Sequence, residues 1–147
     1  MPANAAEMRD LILAAVRSGR IEDLVTAFEW NELKPEISDS PVDDPAAHWK
    51  ALSVDGEGRE ILAVIANILA LGPARLHQGR DLENSTVYVW PYLAERPLDK
   101  LTPAEHVDLL RLMPAGMAAE MIAKQAWTWW RLSIGSDGTW LAFRRPG

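Results

Sequence analysis

Three histidines, His48, His77 and His106, and three acids in the segment SVDGEGRE, Asp55, Glu57 and Glu60, are the side chains of this sequence best suited to acid–base or metal chemistry. A histidine and a carboxylate brought together in a pocket would form a small hydrolase centre, because imidazole titrates near neutral pH. The spacing supplies no such pair. Neither H-x-x-x-H nor H-x-x-E-H occurs, His48 and His106 fall in helical patterns, and His77 reads as a loop residue. Acids this close in sequence do not face one another across a cleft as glycosidase carboxylates do, and they lack the regular oxygen spacing of a calcium loop. The plainer reading is a polar connector whose acids favour the start of the next helix through its dipole. Thr102, Glu105 and His106 read as a helix cap beside a surface imidazole. The chain also lacks a G-x-S-x-G elbow, a phosphate-binding glycine loop and a dinucleotide fingerprint. With no cysteine, it has no thiolate zinc site, no disulfide and no cysteine nucleophile. No metal and no cofactor are expected, and binding is favoured over catalysis.

A second constellation is aromatic. The stretch WTWWRLSIGSDGTWLAF, residues 127–143, holds four of the seven tryptophans. Asp137-Gly138 marks a hairpin turn. With a two-residue turn, Ile134 lies opposite Leu141 and Leu132 opposite Phe143. Trp130, Leu132, Ile134, Leu141 and Phe143 then share one face, and Trp127, Trp129, Arg131, Ser133, Trp140 and Ala142 the other. A three-residue loop with a glycine bulge slips the pairing by one and moves Trp140 to the Ile134 face. The first register segregates the apolar residues better and is the expected one. The tryptophans are then either core pegs, each burying up to about 250 Å², or a partly open platform of Trp129 and Trp140 beside Arg131. Indole faces suit sugar rings and cations. In YVWPY, residues 88–92, Trp90 and Tyr92 share parity and would extend that surface. The candidate ligand-binding residues are therefore Trp129, Arg131, Trp140, Trp90 and Tyr92.

The elements that must position these residues are mostly helical. Met8, Leu11, Ile12, Ala15 and Val16 mark one helix, capped by Asn4 with Glu7 and ended by Gly19. Ile21, Leu24, Val25 and Phe28 mark a second helix, hairpinned on the first. Residues 31–44 lack periodicity and read as a surface connection. Asp44-Pro45 opens a short helix bearing His48, Trp49 and Leu52. REILAVIANILAL, residues 59–71, is apolar on almost every side and is expected at the centre of the fold, stopped by Gly72-Pro73. Residues 85–90 read as a strand that Pro91 either ends or marks as an edge. Thr102-Pro103-Ala104-Glu105 combines a cap, a first-turn proline and a capping-box glutamate. The helix it opens carries His106, Leu109, Leu110 and Met113, and a further helical run carries Met117, Met121 and Ile122. The expected fold is α+β in a single domain spanning 1–147, with about six helices and a small antiparallel sheet that includes a C-terminal β-hairpin.

Bulk properties narrow the partners. A chain of 147 residues, 48% hydrophobic and 24% charged, reads as one soluble globular domain. Its net charge of −6, with no compensating basic cluster, argues against nucleic acid. The apolar run at 61–71 is far shorter than the ~20 residues that cross a bilayer, so no transmembrane segment is expected. Ala3-Asn4-Ala5 has the small-x-small form that precedes a signal cleavage site.

DPAAHWKALSVDGEGREILA, YVWPYLAERPLDKLTPAEHVDLLRL and WRLSIGSDGTWLAF together resemble a family of small, usually exported proteobacterial proteins. Their shared pattern runs from Trp-Pro-Tyr through Leu-Thr-Pro to a terminal Asp-Gly-x-Trp hairpin. The resemblance covers roughly residues 8–143 and consists of caps, turns and aromatic pegs. It departs at Met113–Lys124 and at the end, where family members finish in a small-Gly-Asp tail and this chain in Phe143-Arg144-Arg145-Pro146-Gly147. The resemblance implies a periplasmic or exported location and no catalytic residue; a cytoplasmic location is the alternative. The expected function is a non-enzymatic binding domain of the bacterial cell envelope, using the hairpin's indole face on an envelope component or partner protein. The alternatives are a small hydrolase drawing on Asp55, Glu57, Glu60, His48 and His106, or a structural homodimer paired through the hairpin edge or through Met117 and Met121.

Overall fold

A computed structural model of the chain describes residues 1–77 and 86–146. Among these described residues, six α-helices and a four-stranded antiparallel sheet of order β1-β2-β3-β4 make an α+β fold with a mainly helical body. Helix α1, Ala3–Ser18, ends at Gly19, whose left-handed φ of 70° lets its N–H reach the carbonyls of Ala15 and Val16. Its start differs from expectation. Pro2, extended and with no N–H to satisfy, is the residue before the first turn, and Asn4 lies inside the helix without capping it. Helix α2, Ile21–Phe28, folds back on α1 and buries Ile21, Leu24 and Phe28. Asp44 caps α3, Pro45–Ala51, by accepting the Ala47 N–H at 3.0 Å.

Helix α4, Arg59–Ala70, packs on α1 and β3 and buries Ile61, Leu62, Ile65, Ile68 and Leu69. It is central but not enclosed. Ala63, Asn67 and Ala70 recur at i, i+4 and i+7 along one exposed stripe. Alanine counts as apolar in a sequence pattern yet has little surface to gain from burial, which is why the helix reads as hydrophobic all round.

Strand β1, Ala74–His77, has no counterpart in the sequence expectation, which left His77 in a loop. Ala, Arg, Leu and His are weak strand formers. The register Ala74↔Val89 to His77↔Thr86 holds them on β2, Thr86–Trp90, and His77 Nδ1 lies 3.3 Å from Thr86 Oγ1. The first residue of the expected 85–90 strand, Ser85, lies outside the described residues. After Pro91, 3₁₀ turns at Tyr92–Glu95 and Leu98–Lys100 lead to α5, Pro103–Leu110. Its capping box is formed as expected: Glu105 N–H donates to Thr102 Oγ1 at 3.2 Å, and Thr102 N–H to Glu105 Oε1 at 2.9 Å. Glu105 is held below the usual carboxylate range, chiefly by the Thr102 N–H. Helix α6, Ala115–Lys124, buries Ala118 and Met121.

Strands β3, Arg131–Gly135, and β4, Trp140–Arg144, form the C-terminal hairpin, and both registers weighed from the sequence contribute to it. Near the body, Leu132 pairs with Phe143 and Ser133 with Ala142, as the two-residue turn requires. Near the tip, Ile134 pairs with Trp140, as the longer loop requires, with Gly135 N–H donating to Thr139 O at 2.8 Å. A bulge opposite Ser133/Ile134 absorbs the difference and leaves Leu141 as the extra residue. Trp140 therefore lies on the Ile134 face and is 1% exposed, while Leu141 turns outward. No single register holds along the whole ribbon, so segregation of the apolar residues does not place Trp140.

The outer edge of β4 is not open for pairing with a second chain. Glu36 forms a parallel bridge with Ala142, donating its N–H to Leu141 O and accepting the Phe143 N–H, both at 2.9 Å. Residues 31–44 are thus more than a surface connection: Pro35 and Ile37 are buried and the segment covers a sheet edge. Met121 is buried and Met117 half-buried, so the two methionines do not form the open apolar surface that the homodimer alternative drew on.

Candidate functional site

The indoles divide between core and surface. Trp49 of α3 and Trp140 of β4 stack with centroids 6.3 Å apart at 14°, and Phe28 of α2 meets both edge-on at 6.0 and 6.4 Å. Trp130 stacks on Phe143 at 4.8 Å, and Trp90 lies beside Tyr88 at 6.4 Å. These rings fasten α2 and α3 to the sheet, and among them Trp49, Trp90 and Trp140 are essentially inaccessible.

The five residues expected to form one gripping face therefore do not form one. Trp90 and Trp140 are core. Arg131 is ion-paired with Glu95. The Tyr92 hydroxyl donates to Asp108 Oδ2 at 2.5 Å, and burial, with help from that carboxylate, pushes its pKa up to about 12. Arg96 lies over the Tyr92 ring at 5.7 Å, so this tyrosine ties the 3₁₀ turn to α5. Only Trp129 keeps a half-exposed indole at a cleft, because it lies before β3 begins and its side chain is outside the sheet's alternation.

That cleft has a volume of about 770 Å³. The ends of three elements and two irregular segments build it. Helix α3 contributes His48 and its C-terminal cap Leu52 joins it, and the first turns of α4 contribute Glu60, Ile61 and Val64. The strap that covers β4 contributes Ile37, Ser38 and Asp39. Trp129 and Trp130 enter from the approach to β3, and Arg144, Arg145 and Pro146 from the end of β4. Ile37, Ile61, Val64 and Trp130 make an apolar floor. A second cleft of about 400 Å³ lies across the strap and shares Ile37, Ser38, Asp39 and Arg144 as its wall.

The charged groups at the larger cleft are held in different ways. Arg144 is ion-paired with Asp39. Glu60 accepts the Val54 N–H on Oε2 at 3.0 Å, which turns its carboxylate back toward the loop that precedes α4. Arg145 donates Nε–H to Thr128 O at 3.1 Å and lies over the Trp129 ring at 4.9 Å. Nη1 and Nη2 of Arg145 have no protein acceptor among the described residues.

Compared with protein-family models, with curated proteins and with solved structures, the chain matches none. The site must be read from its own geometry.

The residues weighed for catalysis are only partly brought together. His48 and Glu60 line the same cleft, yet no hydrogen bond joins them. Asp55 accepts the Ser53 hydroxyl at 2.5 Å and the Glu57 N–H at 2.9 Å, which together hold it below the usual carboxylate range, the hydroxyl most. These bonds organise the loop that precedes α4. His106 is exposed on α5, away from the cleft lining, and His77 is at the end of β1. Among the described residues, no group of three His, Asp or Glu side chains is placed to hold a metal.

Sequence reasoning missed Ile37, Ser38, Asp39, Arg144 and Arg145. The only local signal was Ile37, a lone apolar residue between two prolines in an otherwise polar segment. The arginines read as a chain-end pair because only the folded strap brings them opposite α3 and α4.

Proposed function

We propose that this protein is a non-enzymatic binding domain whose ligand seat is the cleft between α3, α4 and the root of the hairpin. One observation carries the reading: an opening of about 770 Å³ with an apolar floor and a half-exposed indole wall, Trp129. Small-molecule sites are commonly clefts of about 300–1,000 Å³, largely apolar with a few placed polar groups. Binding rather than turnover is supported by the absence of a histidine–carboxylate hydrogen bond among the described residues. The sequence resemblance supports an envelope setting, periplasmic or exported, with an envelope component as the natural source of the ligand. No helix among the described residues is long and apolar enough to cross a membrane.

Nile red, a neutral apolar dye, is expected to bind the folded protein one-to-one with a saturable blue shift. Trp129→Ala should weaken it about tenfold, the equivalent of ~1.4 kcal/mol, while leaving the urea midpoint close to that of the parent. A second variant, Val64→Phe, narrows the cleft without removing a ring and should weaken the dye as well. Unchanged dye binding in both folded variants would remove the cleft as the seat.

A further inference from the structure

We infer that the cleft selects an amphipathic monoanion, a carboxylate on an apolar chain or ring, with Arg145 as the group that reads the charge. This rests on the cleft being the ligand seat. Three observations narrow the chemistry. The floor is hydrocarbon and indole, so the ligand's body is apolar. Arg144 is already neutralised by Asp39, whereas Arg145 has no carboxylate partner among the described residues. Arg145 is also held in place, by Thr128 O at 3.1 Å and by the Trp129 face at 4.9 Å. A guanidinium whose Nε is fixed and whose Nη groups have no protein acceptor is set to take a carboxylate with little further ordering. The remaining charges fix the valence. With Arg144 and Asp39 paired, Arg145 is, among the described residues, the one positive charge left on the lining and Glu60 the one carboxylate, so a second negative charge on the ligand would find no cation and would meet Glu60. The geometry points to a single negative charge at the Arg145 end and an apolar body along Ile61 and Val64.

Displacement of Nile red from the intact protein separates this from the reading it rests on. Decanoate should displace the dye with an affinity about tenfold better than decanol, as expected for one charge-assisted hydrogen-bonded contact at a partly exposed site. Phenylbutanoate and phenylbutanol should show the same order, whichever body fills the floor better. Arg145→Gln should abolish the tenfold preference for decanoate over decanol. Its urea midpoint, close to that of the parent, reports folding in the same variant. Equal binding of decanoate and decanol in the parent would overturn charge recognition while leaving the cleft intact. Tighter binding of decylamine would overturn it in favour of Asp39 and Glu60, and tighter binding of decyl phosphate as a dianion would overturn the single-charge limit. If decanoate and decanol both fail to displace a dye that does bind, the ligand class is wrong. If the dye itself does not bind, the cleft reading falls with it.

Discussion

Trp140→Ala is expected to lower the unfolding free energy by about 3–5 kcal/mol, the cost of removing a large buried aromatic ring. Chains of this size are stable by about 5–15 kcal/mol in total, so the variant should be close to the edge of folding. The ring is 1% exposed, stacked on Trp49 and met edge-on by Phe28, so its loss opens a void where α2, α3 and β4 join. Urea unfolding followed by far-UV circular dichroism measures the effect. Trp129→Ala, in the same hairpin segment, should shift the midpoint far less because its indole is half-exposed. The contrast between two tryptophans eleven residues apart distinguishes pegs from the cleft wall. Equal losses would mean that both rings are core and that the cleft has no free indole.

Gly58→Ala is expected to cost about 2–4 kcal/mol, adding a left-handed backbone penalty to overpacking. Gly58 precedes α4 at φ 80°, and a Cβ there would lie 2.8 Å from Ile21 Cγ1 and 2.9 Å from Ile21 Cβ. The Ile21 Cβ is fixed to the backbone of α2 and cannot swing away. Gly19→Ala is the control. Its φ of 70° is nearly the same, but a Cβ there meets nothing within 4 Å. It should therefore cost only the backbone part, about 1–2 kcal/mol. The difference between the two midpoints isolates the closeness of α4's start to α2. Equal costs would show that the two helices yield to the added methyl.

How much of this was legible in the sequence follows from which interactions are local. Gly19, Asp44-Pro45 and Thr102-Pro103-Ala104-Glu105 set helix ends through residues within one turn of one another, and all three appear where the sequence places them. The Asn4 cap did not appear, because the helix already begins at Ala3 and Asn4 lies within its first turn. Strand β1 was invisible because Ala74-Arg75-Leu76-His77 has no strand propensity of its own and is held by its partner. The bulge at Leu141 was invisible for a related reason: it reconciles a tip set by the turn with a root set by packing, and neither end alone announces it.

The candidate site was less legible than the fold. It is assembled from α3, α4, the 37–39 strap and both flanks of the hairpin, segments that local pattern cannot bring together. Trp129 was singled out as part of a hairpin face, and it lies half-exposed at the cleft. Arg131, its expected neighbour, is engaged by Glu95, and Arg145 stands over the indole instead. Alternation along a strand predicted Arg131 beside Trp129, but Trp129 precedes the strand, so alternation does not apply to it.

The central claim, that a ligand enters the cleft against Trp129 while Trp130 and Trp140 belong to the core, is tested most directly by fluorine NMR. Fluorotryptophan-labelled protein would be titrated with octanol, a neutral apolar probe, with the Trp129 signal assigned through Trp129→Phe. The account predicts a saturable shift of the Trp129 signal, a smaller one at Trp130 on the floor, and stationary signals from Trp90 and Trp30, which do not line the cleft. A stationary Trp129 signal, with octanol saturating elsewhere or not at all, would contradict it.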